Sequence, residues 1–178
     1  MNDPRPAILP DMLRPGLRLV FCGTAASRRS AAEGAYYAHP GNFFWRALAE
    51  SGLTPHRFQP QEFPQLLALG IGFTDLAKHH AGNDAQLPGD AFDVAALHER
   101  LTRHAPHVVA FTSKNAARAA LGHPADYGLQ ATRLCRSDVF VLPSPSGQAR
   151  RFWDITPWRD LARHVADIPY RPALPGTS

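Results

Sequence analysis

The stretch "LRLVFCGTAAS", residues 17–27, decides the fold. Its first six residues are largely apolar and do not alternate with polar ones, which is typical of a parallel strand covered by helices on both faces. The small residues that follow leave room for a ligand at the carboxyl end of the strand, where open α/β sheets bind their ligands. Thr24, Ala25 and Ala26 carry no carboxylate, amide, thiol or imidazole. Any reactive side chain must therefore come from another segment.

Two further short apolar runs, 108–111 and 139–142, are predicted to be strands of the same sheet. Helices are predicted at 42–51, 61–69, 90–104, 115–121 and 157–168. Alternating strands and helices predict one α/β domain with a parallel sheet between helical layers. We expect residues 1–16 to form a flexible arm, 17–170 the domain and 171–178 a flexible tail, with 81–90 as a mobile surface loop.

Length and composition restrict the class of protein. The chain has 178 residues, 44% of them hydrophobic, which fits a single globular domain. A formal net charge of +4 is compatible with a polyanionic partner. There is no apolar run of the roughly 18 residues that span a bilayer and no secretory pattern at the start, so we expect a cytoplasmic protein without a membrane partner. We also expect it to be a monomer. Two cysteines without a CxxC pair, and adjacent His79 and His80 without zinc-ligand spacing, indicate no metal.

Four stretches in order carry a family resemblance: "GLRLVFCGTAAS", "YYAHPGNFFWRALAESGLTP", "GIGFTDL" and "VLPSPSGQARR". Over roughly residues 16–152 the chain resembles the mismatch-specific uracil-DNA glycosylases, which include the thymine-DNA glycosylase branch. The resemblance implies a single-domain three-layer sandwich around a four-stranded parallel sheet. It implies an enzyme that flips uracil, notably from G:U mismatches, or another damaged base out of double-stranded DNA. The N-glycosidic bond is then hydrolysed without a cofactor, which leaves an abasic site.

The chain departs from the family pattern at positions that carry out the chemistry in the family. Ala25 stands where the family has the asparagine that positions the attacking water, and Ala26 and Ser27 replace the following proline and glycine. Ser144 replaces the asparagine that opens the second motif. Two hypotheses follow: an active glycosylase that uses another residue, or a catalytically silent lesion-binding protein. A nucleotide-binding α/β protein is a third, weaker hypothesis, because the chain has no GxGxxG or Walker lysine loop.

Asp75 is the predicted catalytic residue, because a carboxylate could stabilise positive charge on the sugar or orient a water as general base. The resemblance puts it where the thymine-glycosylase branch has an amide that faces the flipped base. An alternative is that Asp75 only caps a short turn at "LAKHH". Asp93 is the rival carboxylate, although its expected place in the first turn of a helix explains it without catalysis.

The remaining site residues are predicted from the same resemblance. The base pocket would comprise Gly23, Thr24, Ala25, Ala26, Tyr37 and Ser144, with Tyr37 stacking on the flipped base unless it belongs to the core. DNA would be bound by Ser27, Arg28, Lys114, Ser146, Gly147, Gln148, Arg150 and Arg151. Gln148 takes the place of the family's wedge leucine. No lysine lies in the pocket motifs to form a Schiff base, so we predict a monofunctional enzyme.

Overall fold

The central sheet has five strands. The computed structural model describes residues 5–172 of the chain. The strands are β1 (Leu19–Ala26), β2 (Ile71–Ala81), β3 (Val108–Phe111), β4 (Gly128–Leu129) and β5 (Asp138–Val141). They lie in the order β2-β1-β3-β5-β4, and only the two-residue β4 runs antiparallel to its neighbour. The expected α/β sandwich is confirmed, with one short strand more than the four parallel strands that the family resemblance implies.

The strand β2 was not predicted from its own residues. Its 11 residues include a carboxylate, a lysine and two histidines, so the apolar pattern that identifies β1 breaks down. The chain nevertheless pairs with β1 in parallel, with Gly23 opposite Asp75 and Ala25 opposite Ala77. Polar residues are accommodated because β2 is an edge strand, where side chains can meet partners from outside the sheet. The alternative of a capped turn at "LAKHH" is therefore wrong.

The helices cover both faces of the sheet, as expected. They are α1 (Arg28–Glu33), α2 (Phe44–Ser51), α3 (Val94–His104), α4 (Lys114–Leu121) and α5 (Thr156–Ala166). Three 3-10 segments lie at Pro60–Leu69, Asp84–Gln86 and Gly147–Phe152. The short α1 was not predicted. The segment at 60–69 is a 3-10 rather than an α-helix, and Pro64 inside it cannot donate a backbone hydrogen bond.

Two large hydrophobic clusters hold these layers together, and a third, small one contains Leu17, Val20 and Leu67. One is aromatic and contains Phe21, Phe44, Phe73 and Trp158, with the Phe21 and Phe44 rings 5.0 Å apart and edge to face. The cluster on the other side of the sheet is mainly aliphatic and includes Leu97 and Leu101. Each fully buried side chain of this kind contributes about 1.5–3 kcal/mol relative to exposure. The sheet is thereby packed between two hydrophobic layers.

The N-terminal segment is packed rather than loose. Met12 and Phe73 exchange two backbone hydrogen bonds of 3.0 Å, and the N–H of Ile8 donates to the carbonyl of Lys78. Leu9 is buried. Residues 5–16 therefore cover the outer edge of β2, because an edge strand has unpaired backbone groups that a neighbouring segment can satisfy. Of the predicted flexible tail, 171–172 are exposed and 173–178 lie outside the described residues.

The candidate site lies where the parallel strands end, at their carboxyl ends. β1 runs on through Ala26, so the small residues that were expected to form a loop after the strand belong to the strand itself. A register shift between Ala25 and Ala26 ends the regular pairing with β2 there.

Within residues 5–172, no helix is long and apolar enough to cross a bilayer.

Candidate active site

A cleft of about 500 Å³ opens at the carboxyl ends of β1, β3 and β5. All six predicted base-pocket residues line it, namely Gly23, Thr24, Ala25, Ala26, Tyr37 and Ser144. Asp75 lines it as well, as do three of the predicted DNA-binding residues, Ser27, Ser146 and Gln148. The chain segments that carry the family resemblance are thus brought together around one cavity.

The Asp75 carboxylate lies at the inner end of this cleft and is only 4% exposed. Gly23 stands opposite it on β1, and the Gly23 backbone N–H donates a hydrogen bond to the carboxylate. A Cβ at position 23 would lie 2.9 Å from Asp75 Oδ1, 3.4 Å from the Tyr37 hydroxyl and 3.5 Å from Thr112 Oγ1. Gly23 is therefore required because three oxygen-bearing side chains from different segments converge on its α-carbon.

Burial raises the pKa of Asp75 from its ordinary 3.8 to about 7. Desolvation is the main cause, because a carboxylate removed from water loses its hydration. The positive charges of Lys78 and Arg100 and the Gly23 hydrogen bond oppose this rise, whereas the charge of Asp11 adds to it. Asp75 is thereby able to change its protonation state close to neutral pH, which is the condition for efficient general acid–base chemistry.

A charged network lies beside Asp75 and was not predicted. Asp11 accepts a hydrogen bond of 2.7 Å from Thr74 and lies 2.9 Å from the Lys78 ammonium. Its other carboxylate oxygen is 3.5 Å from Arg100, whose guanidinium donates to the backbone carbonyl of Asp75 at 3.0 Å. The network joins the N-terminal segment, β2 and α3. No sequence pattern could reveal it, because Asp11 lies in a segment that reads as a flexible arm.

Tyr37 is held in a left-handed backbone conformation, with φ of +52°. This conformation is uncommon for a residue other than glycine and persists only where surrounding contacts impose it. Here the Tyr37 ring stacks on Phe44 at 3.8 Å, and its hydroxyl lies 3.1 Å from Thr112 Oγ1. Tyr37 also packs against the aromatic core cluster, as the alternative of a core tyrosine implies. Tyr37 and the neighbouring Tyr36 both border the cleft.

Asp84 is a second carboxylate of the cleft that the sequence did not single out. It accepts a hydrogen bond of 2.7 Å from Thr24 and another from the Asn115 side chain. Asp84 thereby ties the segment after β2 to the end of β1 and to the start of α4. The segment 81–90 was expected to be a mobile surface loop, whereas its 3-10 turn at Asp84–Gln86 forms part of the cleft wall.

The turn after β5 packs against the "HPGN" turn before α2. The Phe43 N–H donates to the Pro145 carbonyl at 2.8 Å, and a Cβ at Gly147 would lie 3.1 Å from the Gly41 carbonyl oxygen. Gly147 was predicted to bind DNA, but the packing of the protein itself also requires a small residue there. His39 Nδ1 accepts a hydrogen bond of 2.9 Å from the Gly41 N–H, which helps to hold this turn.

The chain is similar to known proteins in both sequence and fold. The family model "Uracil DNA glycosylase superfamily" matches residues 10–162. The chain belongs to the uracil DNA glycosylase superfamily. A solution NMR structure from Methanosarcina acetivorans, described as "a putative Uracil DNA glycosylase", superimposes with a TM-score of 0.60 at 22% identity, covering 88% of this chain and 96% of that one. At that identity the similarity establishes the shared fold. Membership of the superfamily supports DNA glycosylase activity and a DNA substrate.

The predicted basic contacts lie further out than the residues that line the cleft. Arg28, Arg150 and Arg151 are exposed on segments that follow β1 and β5, at the same edge of the sheet as the cleft. None of them lines the cleft, and neither does exposed Lys114, whose ammonium lies 4.4 Å from the Tyr127 ring centroid. If the cleft receives a base, the DNA backbone lies outside it, on the side where these positive charges are exposed.

The rival carboxylate lies elsewhere. Asp93 is exposed, and its side chain accepts a hydrogen bond of 2.9 Å from the Ala96 N–H as the N-cap of α3. It does not line the cleft. Over the described part of the chain, no group of three or more His, Cys, Asp or Glu residues is arranged to hold a metal ion.

Proposed function

We propose that this protein is a monofunctional DNA glycosylase that removes uracil, notably from G:U mismatches, in double-stranded DNA and leaves an abasic site. The proposal is supported by superfamily membership over residues 10–162 and carried by one observation. A buried carboxylate, Asp75, borders a cleft formed by the small residues Gly23 to Ala26. The target bond is sheltered within the duplex, so the uracil nucleotide is extruded into this cleft before reaction.

The chemistry is hydrolysis of one bond. The bond between C1′ of the deoxyribose and N1 of uracil breaks, and its electron pair leaves with the base. A water oxygen bonds to C1′ and releases a proton. In this mechanism ionised Asp75 stabilises the positive charge that develops on the sugar or accepts that proton, and each role is typically worth 10²- to 10⁴-fold in rate. Asp75 thereby replaces the family's water-positioning asparagine, which is Ala25 here.

Monofunctional action is supported by the absence of a free lysine amine among the described residues that line the cleft. Lys78, the nearest on β2, is 9% exposed, and its ammonium contacts Asp11 and the Tyr36 hydroxyl. A buried, ion-paired ammonium is a poor nucleophile, so a Schiff base with the sugar is not expected.

We propose a permissive base pocket. Ala25 and Ala26 replace larger residues of the family, and Gly23 and Thr24 offer backbone groups to the edges of a base. We expect uracil and other damaged pyrimidines or deaminated bases to be accepted and normal cytosine to be refused. Duplexes that differ only in the target base measure this range, and restriction to a single base would contradict it.

Phosphate contacts are proposed for Arg28, Arg150, Arg151 and Lys114, together with Ser27, Ser146 and Gly147 at the rim. Contacts of this kind dominate affinity and make it depend on salt.

The direct test is incubation with a G:U duplex at enzyme excess, followed by alkali. Strand breaks that require alkali indicate an abasic product and support the proposal. Breaks without alkali would instead indicate a lyase. Tight binding to the G:U duplex without base release would favour the catalytically silent lesion-binding protein that the changes at Ala25 and Ser144 also allow.

A further inference from the structure

Phe152 is an exposed aromatic residue at the mouth of the cleft. Its relative exposure is 59%, and it lines the cleft. Two other large hydrophobic residues of the described chain are exposed, Tyr127 and Leu129, and neither lines the cleft. An aromatic ring exposed at the rim of a ligand site is positioned to stack on a bound base.

The backbone on both sides of Phe152 is held in place. The neighbouring Trp153 ring lies 5.3 Å from Phe43 and 5.7 Å from Trp158, and the Trp153 N–H donates to the Arg150 carbonyl at 3.1 Å. The Arg150 guanidinium itself lies 5.3 Å from the Phe43 ring centroid. The exposed ring is therefore presented from a fixed 3-10 turn, so little backbone freedom remains to be lost on binding.

The surroundings of Phe152 match the two chemistries of DNA. The Arg151 guanidinium lies over its ring, 4.9 Å from the centroid. An aromatic face stacks on bases and a guanidinium binds phosphate, so the pair can contact both parts of one strand. Gln148, on the same turn, is exposed and polar and stands where the family resemblance places an apolar wedge.

We propose that Phe152 enters the base stack next to the extruded nucleotide and supplies the apolar wedge that Gln148 does not. This inference rests on the proposed function. Apolar side chains inserted between base steps offset the cost of unstacking, which is a few kcal/mol per step. Gln148 is left to hydrogen-bond the orphaned partner base.

The experiment compares binding to two duplexes, one with a non-hydrolysable 2′-fluoro-deoxyuridine opposite guanine and one fully paired without a lesion. We expect Phe152→Ala to lose about 10-fold or more in affinity for the lesion duplex, since stacking is worth about 1–3 kcal/mol per base, and less than about 2-fold for the paired duplex. Leu129→Ala is the matched control, an exposed apolar residue away from the cleft, and should change neither. Phe152→Leu should lose less than Phe152→Ala.

Three results would overturn the inference. Phe152→Ala could bind the lesion duplex as well as the unaltered protein does, or lose affinity equally for both duplexes, which would make Phe152 a general DNA contact. Gln148→Ala could lose lesion preference while Phe152→Ala keeps it, which would make Gln148 the wedge. Absence of uracil release by the unaltered protein would instead contradict the proposed function, and the binding comparison would still decide the role of Phe152. Thermal melting of each variant verifies folding.

Discussion

Replacement of Asp75 by Asn is expected to abolish most of the activity and to stabilise the protein at the same time. The side chain is 4% exposed, and its pKa is raised to about 7, chiefly by desolvation. Asparagine has nearly the shape of the protonated acid but cannot ionise. The variant therefore removes the charge on which the proposed chemistry depends and also the cost of burying that charge.

The magnitude follows from the pKa. In the unfolded chain the carboxyl has its ordinary pKa of 3.8, and in the folded protein it is about 7. The folded state therefore binds the extra proton, and the free energy of unfolding of the unaltered protein falls as pH rises from about 4 to about 7. At about 1.4 kcal/mol per pKa unit, the full cost of the ionised group is about 4 kcal/mol, of which about 3 kcal/mol develops between pH 5 and pH 8. Asp75→Asn should lack this fall.

Activity should change in the opposite direction. The ionised carboxylate is the working form, so the single-turnover rate of the unaltered protein should rise with pH and level off above about pH 7. Asp75→Asn should be slower by about 10²-fold or more at pH 8, with little change in affinity. Ala25→Asn, which restores the family's amide, should partly rescue Asp75→Asn if the two side chains share one task.

Urea unfolding and single-turnover uracil release, each measured from pH 5 to pH 8, test both effects. Asp93→Asn is the matched control, because Asp93 is an exposed helix cap and asparagine caps about as well. It should leave both profiles unchanged. Full activity of Asp75→Asn, or stability with the same pH dependence as the unaltered protein, would refute the reasoning. An inactive Asp93→Asn beside an active Asp75→Asn would make the rival carboxylate the catalyst.

Four further predictions concern the surroundings of Asp75 and the rim of the cleft. Lys78→Met should move the pH at which activity half-develops upward, because Lys78 lowers the pKa of Asp75; an unchanged rate profile would contradict this. Gly23→Ala should reduce the single-turnover rate by about 10-fold or more with a small effect on melting, since its Cβ would lie 2.9 Å from Asp75 Oδ1. Asp84→Ala should raise KM and increase proteolysis of the adjoining segment more than it lowers kcat, and the reverse ranking would indicate a chemical role. Arg150→Ala should weaken binding to all duplexes about equally and reduce the salt dependence of affinity, whereas a change confined to one opposing base would indicate recognition of that base.

Local patterns were sufficient where one segment determines its own structure. The unbroken apolar runs identified β1, β3 and β5 within two residues at most ends, and the helix predicted to end at residue 51 does end there. They failed at β2, because its pairing with β1 and the packing of residues 5–16 against its edge are tertiary contacts. The same limit applies to the ends of helices, since Asp93 rather than Asp90 caps α3.

The same distinction between local and tertiary information applies to the candidate site. Its residues were predicted from the sequence through the family resemblance: the carboxylate at 75, the small residues 23–26 and the motif at 144–151. The sequence could not show that Asp84 and Phe152 border the same cleft, or that Asp11, Lys78 and Arg100 influence the pKa of Asp75. These residues lie in segments distant along the chain and carry no periodic signal.

The sequence by itself determined the type of fold, because hydrophobic pattern is a local property, and the family resemblance in its motifs indicated the candidate site residues. Only the tertiary structure decided that Asp75 is desolvated, that Asp93 is not in the cleft, and which aromatic ring borders the cleft mouth. Desolvation, electrostatic coupling and access to a ligand depend on which segments meet in space, and that is set by packing across the whole chain.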